Sequence, residues 1–107
     1  MVSFPEITLG GYMAKHERAA AFGGSDGHAY SCAIYTADEP DPQGRTGGAL
    51  LFIRWDEAGA NPVGHVETDY LVWGATKEEA ANRLGSLSLF DVKAALDEAI
   101  RARPEGW

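Results

Sequence analysis

The apolar residues of this chain change their spacing once, between residues 73 and 76, and no other feature constrains the fold as much. Up to Trp73 they alternate or run in short blocks, as in strands. Beyond it they recur every three or four residues, as on helices. The stretch "ATKEEAANRLGSLSLFDVKAALDEAI" (75–100) holds two helix starts. Thr76, with Glu79 three residues on, makes a capping box. The helix it opens carries Ala80, Leu84 and Leu87 on one side, and Gly85 is placed to end it. Ser88 caps a second helix, with Asp91 at the third helical position and Leu87 and Val92 at the staple positions. Leu89, Val92, Leu96, Ala99 and Ile100 form its apolar stripe, which runs until Pro104.

The part before the change reads as strands and turns. Residues 1–14 form an N-terminal arm, because Pro5 and the pair Gly10 and Gly11 interrupt any regular element. Two apolar stretches, 16–22 and 28–37, flank "GGSDG" (23–27) as the arms of a hairpin. In the second arm Tyr30, Cys32 and Ile34 share one face, and Ser31, Ala33 and Tyr35 the other. "DEPDPQGRTGG" (38–48) is a long acidic loop with turn residues at Asp41–Gly44. "GALLFIRW" (48–55) is apolar on both parities through Phe52, the pattern of a central strand covered on both sides. After the loop 56–62 comes "GHVETDYLVW" (64–73), whose two rows are Val66, Thr68, Tyr70, Val72 and His65, Glu67, Asp69, Leu71, Trp73.

The order is therefore β-β-β-β-α-α. It predicts an α+β fold, a single domain over 1–107, in which an antiparallel β-meander of about four strands is followed by two C-terminal helices packed on one face. A chain of 107 residues is enough for one hydrophobic core and not for two. Helices on one face leave the other face of the sheet to meet water or another protein.

Charge narrows the partners. Sixteen acidic residues against nine basic give a net charge of −7, and from 38 to 69 only Arg45 and Arg54 balance Asp38, Glu39, Asp41, Asp56, Glu57, Glu67 and Asp69. Binding to phosphates needs clustered Lys and Arg, so nucleic acid and anionic membrane are disfavoured, and a cation or a basic protein fits better. The single cysteine, Cys32, excludes an internal disulfide and a cysteine-rich zinc site. The start "MVSFPEITLG" lacks the features of a signal peptide, and no apolar run approaches the roughly 18 residues of a membrane span, so a cytoplasmic location is expected.

The candidate chemistry starts with His65, Glu67 and Asp69. Alternate residues of one strand share a face at roughly 6–7 Å spacing. This residue set can hold a divalent metal such as zinc or manganese, or do acid–base work, if Asp56, Glu57 or His28 supplies a further ligand. Parallel side chains on one flat strand seldom converge, and the competing reading is a solvated sheet face. Ser25, Asp26 and His28 have the residue types of a hydrolase triad but sit in one tight turn, which does not permit triad geometry. Cys32 shares its row with Tyr30 and Ile34 and reads as core. The glycine pairs 10–11, 23–24 and 47–48 match no phosphate-binding pattern and read as turn glycines. Trp55 and Trp73 lie near strand ends, in the core or on an apolar patch of the uncovered face. Phe90 sits off the stripe of its helix, against the first helix or a partner, and Trp107 has nothing nearby to place it.

The piece "GATKEEA" (74–80), leaving a strand and entering a helix after a meander, resembles the strand-to-helix junction of HicB-type antitoxin domains. The proline-glycine-cysteine segment that precedes it in that family is absent. The resemblance implies a small non-catalytic protein that neutralises another. The sequence thus leads to a small acidic non-enzymatic binding or regulatory module, acting through protein–protein contacts or as a homo-oligomer with no resident cofactor. Its contact residues are expected to be Trp55, Trp73 and Phe90. The alternatives are a metal-binding protein or metal-dependent enzyme using His65, Glu67 and Asp69, and an antitoxin- or immunity-like protein masking a basic partner.

Overall fold

A computed structural model describes residues 7–17 and 19–103. The order of elements is α1 (Leu9–His16), β1 (Ala21–Gly23), β2 (Ala29–Thr36), β3 (Thr46–Trp55), β4 (Pro62–Glu67), β5 (Val72–Gly74), α2 (Lys77–Gly85) and α3 (Leu89–Ala102). The strands form one antiparallel sheet in the order β1-β2-β3-β4, with β5 also paired to β3. The expected α+β meander followed by two helices is present.

Both C-terminal helices begin where their caps put them. The Glu79 N–H donates to the Thr76 hydroxyl at 3.0 Å, and the Asp91 N–H to the Ser88 hydroxyl at 3.0 Å. Each cap satisfies an N–H that the helix itself leaves without an acceptor. Ala80 and Leu84 of α2, and Val92, Leu96, Ala99 and Ile100 of α3, are buried. They pack with Tyr30, Cys32, Leu50, Phe52 and Val66, the even-numbered sides of β2, β3 and β4. Strand alternation sends the odd-numbered sides the other way.

Four expectations are corrected. Residues 9–14 are not an arm, since α1 runs through Gly10 and Gly11. The Gly11 N–H donates to Thr8 Oγ1 at 3.1 Å, and Leu9 is fully buried in the core. Burial of Leu9 outweighs the low helix propensity of the glycines. A backbone bridge from Thr8 to Ser88 ties this start to the head of α3.

The second correction concerns Gly47 and Gly48, which lie inside β3 rather than in a turn. A Cβ on Gly47 would stand 2.7 Å from the Tyr70 ring. One on Gly48 would stand 2.9 Å from both Leu84 Cδ1 and Val72 Cγ2. Side chains close in on this strand from both faces, and only glycine leaves room. Third, residues 64–73 are not one strand. The Leu50 N–H donates to Thr68 Oγ1 (3.0 Å) instead of a backbone carbonyl, and the Thr68 hydroxyl donates to the Asp69 carbonyl (2.7 Å). The ladder stops there and resumes when the Leu71 N–H reaches the Gly48 carbonyl at 2.8 Å. Asp69 falls in the gap, outside both strands. Fourth, among the described residues β3 is covered by helices on its even side only. Its odd row of Leu51, Ile53 and Trp55 is half-buried by neighbours on the same face.

Candidate functional site

The face of the sheet turned away from the helices is built by the odd-numbered residues of β2 and β3. The register sets Ser31 beside Ile53, Ala33 beside Leu51 and Tyr35 beside Ala49. On β4, His65 lies beside Ile53 and Glu67 beside Leu51, and Trp73 of β5 lies beside Gly47. No described helix covers this face.

Both strand-end tryptophans belong to it. The Trp55 indole N–H donates to the Ser31 hydroxyl at 3.0 Å, which fixes the ring at one end. Trp73 sits at the other, roughly 27 Å along β3 by strand rise. There it meets Tyr70 edge-on, ring centroids 5.2 Å apart, and Arg45 stacks over its ring at 4.6 Å. Asp41 orients that guanidinium through Nε (2.9 Å) and Nη2 (2.8 Å). The Asp41 carboxyl lies below its usual range, first because the Arg45 N–H donates to it, with burial opposing. Tyr35, whose neighbour on this face is Tyr70, is held above the usual tyrosine range first by that phenol. Tyr35 and Tyr70 are 45% and 43% exposed and form an aromatic surface at this end of the face.

Phe90 is not part of this surface. It belongs to the helical layer and is 81% exposed, so it does not pack on α2. Trp107 lies outside the described residues.

His65, Glu67 and Asp69 are all exposed and line one cleft of about 440 Å³ with Val66, Ala99, Ala102 and Arg103. The cleft lies between the outer edge of β4 and α3. A second of about 210 Å³, walled by Leu71, Ala95 and Glu98, shares Glu67, Asp69, Ala99 and Ala102 with it. The strand ends before Asp69, which breaks the expected row of three. Among the described residues no three His, Cys, Asp or Glu side chains are grouped to hold a metal ion. The part the sequence missed is the opposite wall, because the alanines of α3 carry no signal of their own and meet β4 only through the packing of helix on sheet.

The "SDGH" turn is more than a turn. Asp26 accepts from the Tyr30 hydroxyl (2.6 Å), the His28 N–H (3.1 Å) and Arg103 Nη1 (3.1 Å), with Arg54 Nε at 3.9 Å. Burial opposes its charge, but the bonds from Tyr30, His28 and Arg103 outweigh it and hold the carboxyl below the usual range. Tyr30 answers in the opposite sense, pushed up to about 12 by burial and by the bond it donates. Arg54 Nη2 lies 2.6 Å from His28 Nε2. Since a guanidinium only donates, Nε2 accepts, the ring proton is on Nδ1, and it donates to the Trp55 carbonyl at 3.3 Å. A carboxylate so engaged is not a general base. The cluster joins the hairpin turn, β3 and the end of α3. Cys32 is buried and its thiol is pushed up to about 12 by burial, so it is a core residue rather than a nucleophile.

No helix among the described residues is long and apolar enough to cross a membrane. No family model, no curated protein and no solved structure matches this chain.

Proposed function

We propose that this protein is a non-enzymatic binding or regulatory module whose contact surface is the open face of the sheet. One observation carries the reading: Leu51, Ile53, Trp55, Tyr70 and Trp73 stand together on a sheet face that no described helix covers. Both tryptophans are already oriented, Trp55 by Ser31 and Trp73 by Tyr70 and Arg45. Rigid aromatics lose little entropy on binding and give contact surfaces much of their energy. The polar rim of Arg45, His65 and Glu67 has the composition of a protein contact surface.

Ile53→Asp tests it by placing a charge at the centre of the face without touching the core. The unaltered protein, used as bait in extract of its own cells, should retain a defined partner. The variant should melt as the parent does and lose that capture. A parent that retains nothing, or a variant that retains as much, would overturn the reading.

A further inference from the structure

We propose that two copies of this chain pair through the outer edge of β4, with Val66 on the twofold axis, into one continuous antiparallel sheet. The inference rests on the protein's acting through protein contacts, but it uses the sheet edge and not the open face. β4 is the last strand on its side of the β1-β2-β3-β4 order. The direction of its backbone groups follows from its neighbours. The Thr68 N–H donates to the Leu50 carbonyl, so the even-numbered residues of β4 bond inward to β3. His65 and Glu67, by alternation, point their N–H and C=O groups outward. The cleft at this edge has residues of both sheet faces in its walls, His65 and Glu67 on one side and Val66 with Ala99 and Ala102 on the other. Among the described residues the edge is therefore uncovered. Beside it α3 presents the short side chains of Ala99 and Ala102, and Arg103, which also lines the cleft, is drawn toward Asp26.

Exposed edges are guarded by lysine and other charges, proline or bulges; in β4 the proline, Pro62, and the register shift opposite it lie at the first residue, and the stretch Gly64–Glu67 carries Glu67 as its one charge and no lysine or proline. The other edge, β1, is three residues long and offers little to pair with. What selects a second copy over another extended chain is self-complementarity. A twofold axis at Val66 sets His65 against Glu67 of the other copy, and Glu67 against its His65. Each pair exchanges both backbone hydrogen bonds and places a cationic or donor ring opposite a carboxylate. Moving the axis one residue either way sets His against His or Glu against Glu. An isologous contact of this kind closes as a dimer and does not propagate. It also places the two open faces side by side on the same side of the joined sheet.

Sedimentation of the full chain from micromolar to millimolar concentration, with three sets of variants, tests the pairing. The parent should pass from monomer to dimer. His65→Glu and Glu67→Lys should each weaken the dimer roughly tenfold, because each alters two symmetry-related pairs. The double variant His65→Glu/Glu67→Lys, again complementary, should restore it. Glu67→Pro, which removes an outward N–H together with the carboxylate and breaks no backbone bond to β3, should leave a folded monomer. Ile53→Asp should still dimerise, which separates this contact from the open face. A parent that is monomeric throughout, a double variant no tighter than the single ones, or a monomer that binds a basic peptide at this edge instead would overturn the proposal.

Discussion

At the scale of single residues, Asp26 shows how a turn residue becomes structural. Its bonds to Tyr30, His28 and Arg103 close the hairpin turn against the end of α3. Asp26→Asn should cost about 1.5–3 kcal/mol in urea unfolding at neutral pH, the range for bonds to a charged group. The pH dependence has a definite sign. The folded carboxyl lies below its ordinary 3.8, so the unfolded chain takes up the proton first as pH falls. Its stabilisation is whole above pH 3.8 and disappears as pH drops through the lower folded value. Tyr30 works at the other end of the scale. With its phenol moved from 10.0 to about 12, its stabilisation is whole below pH 10 and is lost as pH rises toward 12. Asp26→Asn should flatten the acid limb and Tyr30→Phe the alkaline one. Phe90, at 81% exposure, should tolerate Phe90→Ser within about 0.5 kcal/mol. A larger loss on melting would mean that it is covered.

At the scale of elements, the helix caps and the glycines of β3 act differently. Thr76→Ala and Ser88→Ala should each cost about 1 kcal/mol by chemical denaturation, since each deprives one N–H of its acceptor. Gly48→Ala should cost about 1–3 kcal/mol, because the new methyl meets Leu84 and Val72 in a filled core. Gly47→Ala meets the Tyr70 ring first, on the open face. That ring can swing away, so the expected signature is a change in Trp73 fluorescence with a smaller loss of stability. Equal losses at the two positions would show that Tyr70 is as fixed as the core. The helix starts were legible because a cap is a local matter, set by residues three apart. The close approach to Gly47 and Gly48 was not, because the side chains that demand glycine come from 23 to 36 residues away in sequence.

At the scale of the whole molecule, the two sides of the sheet are unlike. One side and three helices make the core, and the other side carries the tryptophans. Because Cys32 lies in that core with its thiol pushed up to about 12, it should react with a disulfide reagent no faster than the molecule unfolds. Fast labelling in the native state would show that the sheet opens locally. The candidate surface was half legible. Trp55 and Trp73 could be assigned to strand ends, but whether they faced helices or water depended on which parity of β3 the helices chose. For Phe90 the expected packing on α2 failed for a related reason. Its position on the helix was correct, and the neighbouring helix simply does not lie on that side.

By itself the sequence determined the order of the principal strands and the two C-terminal helices, the starts of those helices, and the parity that divides β2 and β4 between two faces. These are fixed by neighbours within a few residues, through side-chain alternation and hydrogen bonding. Only the tertiary structure decided that a glycine-containing segment near the N-terminus becomes a helix, that "GHVETDYLVW" breaks at Thr68, and that Asp26 meets Arg103. Each depends on groups far apart in sequence. Burial of Leu9, the capture of the Leu50 N–H by the Thr68 hydroxyl, and the pairing of charges from opposite ends of the chain are decided when sheet and helices close on each other.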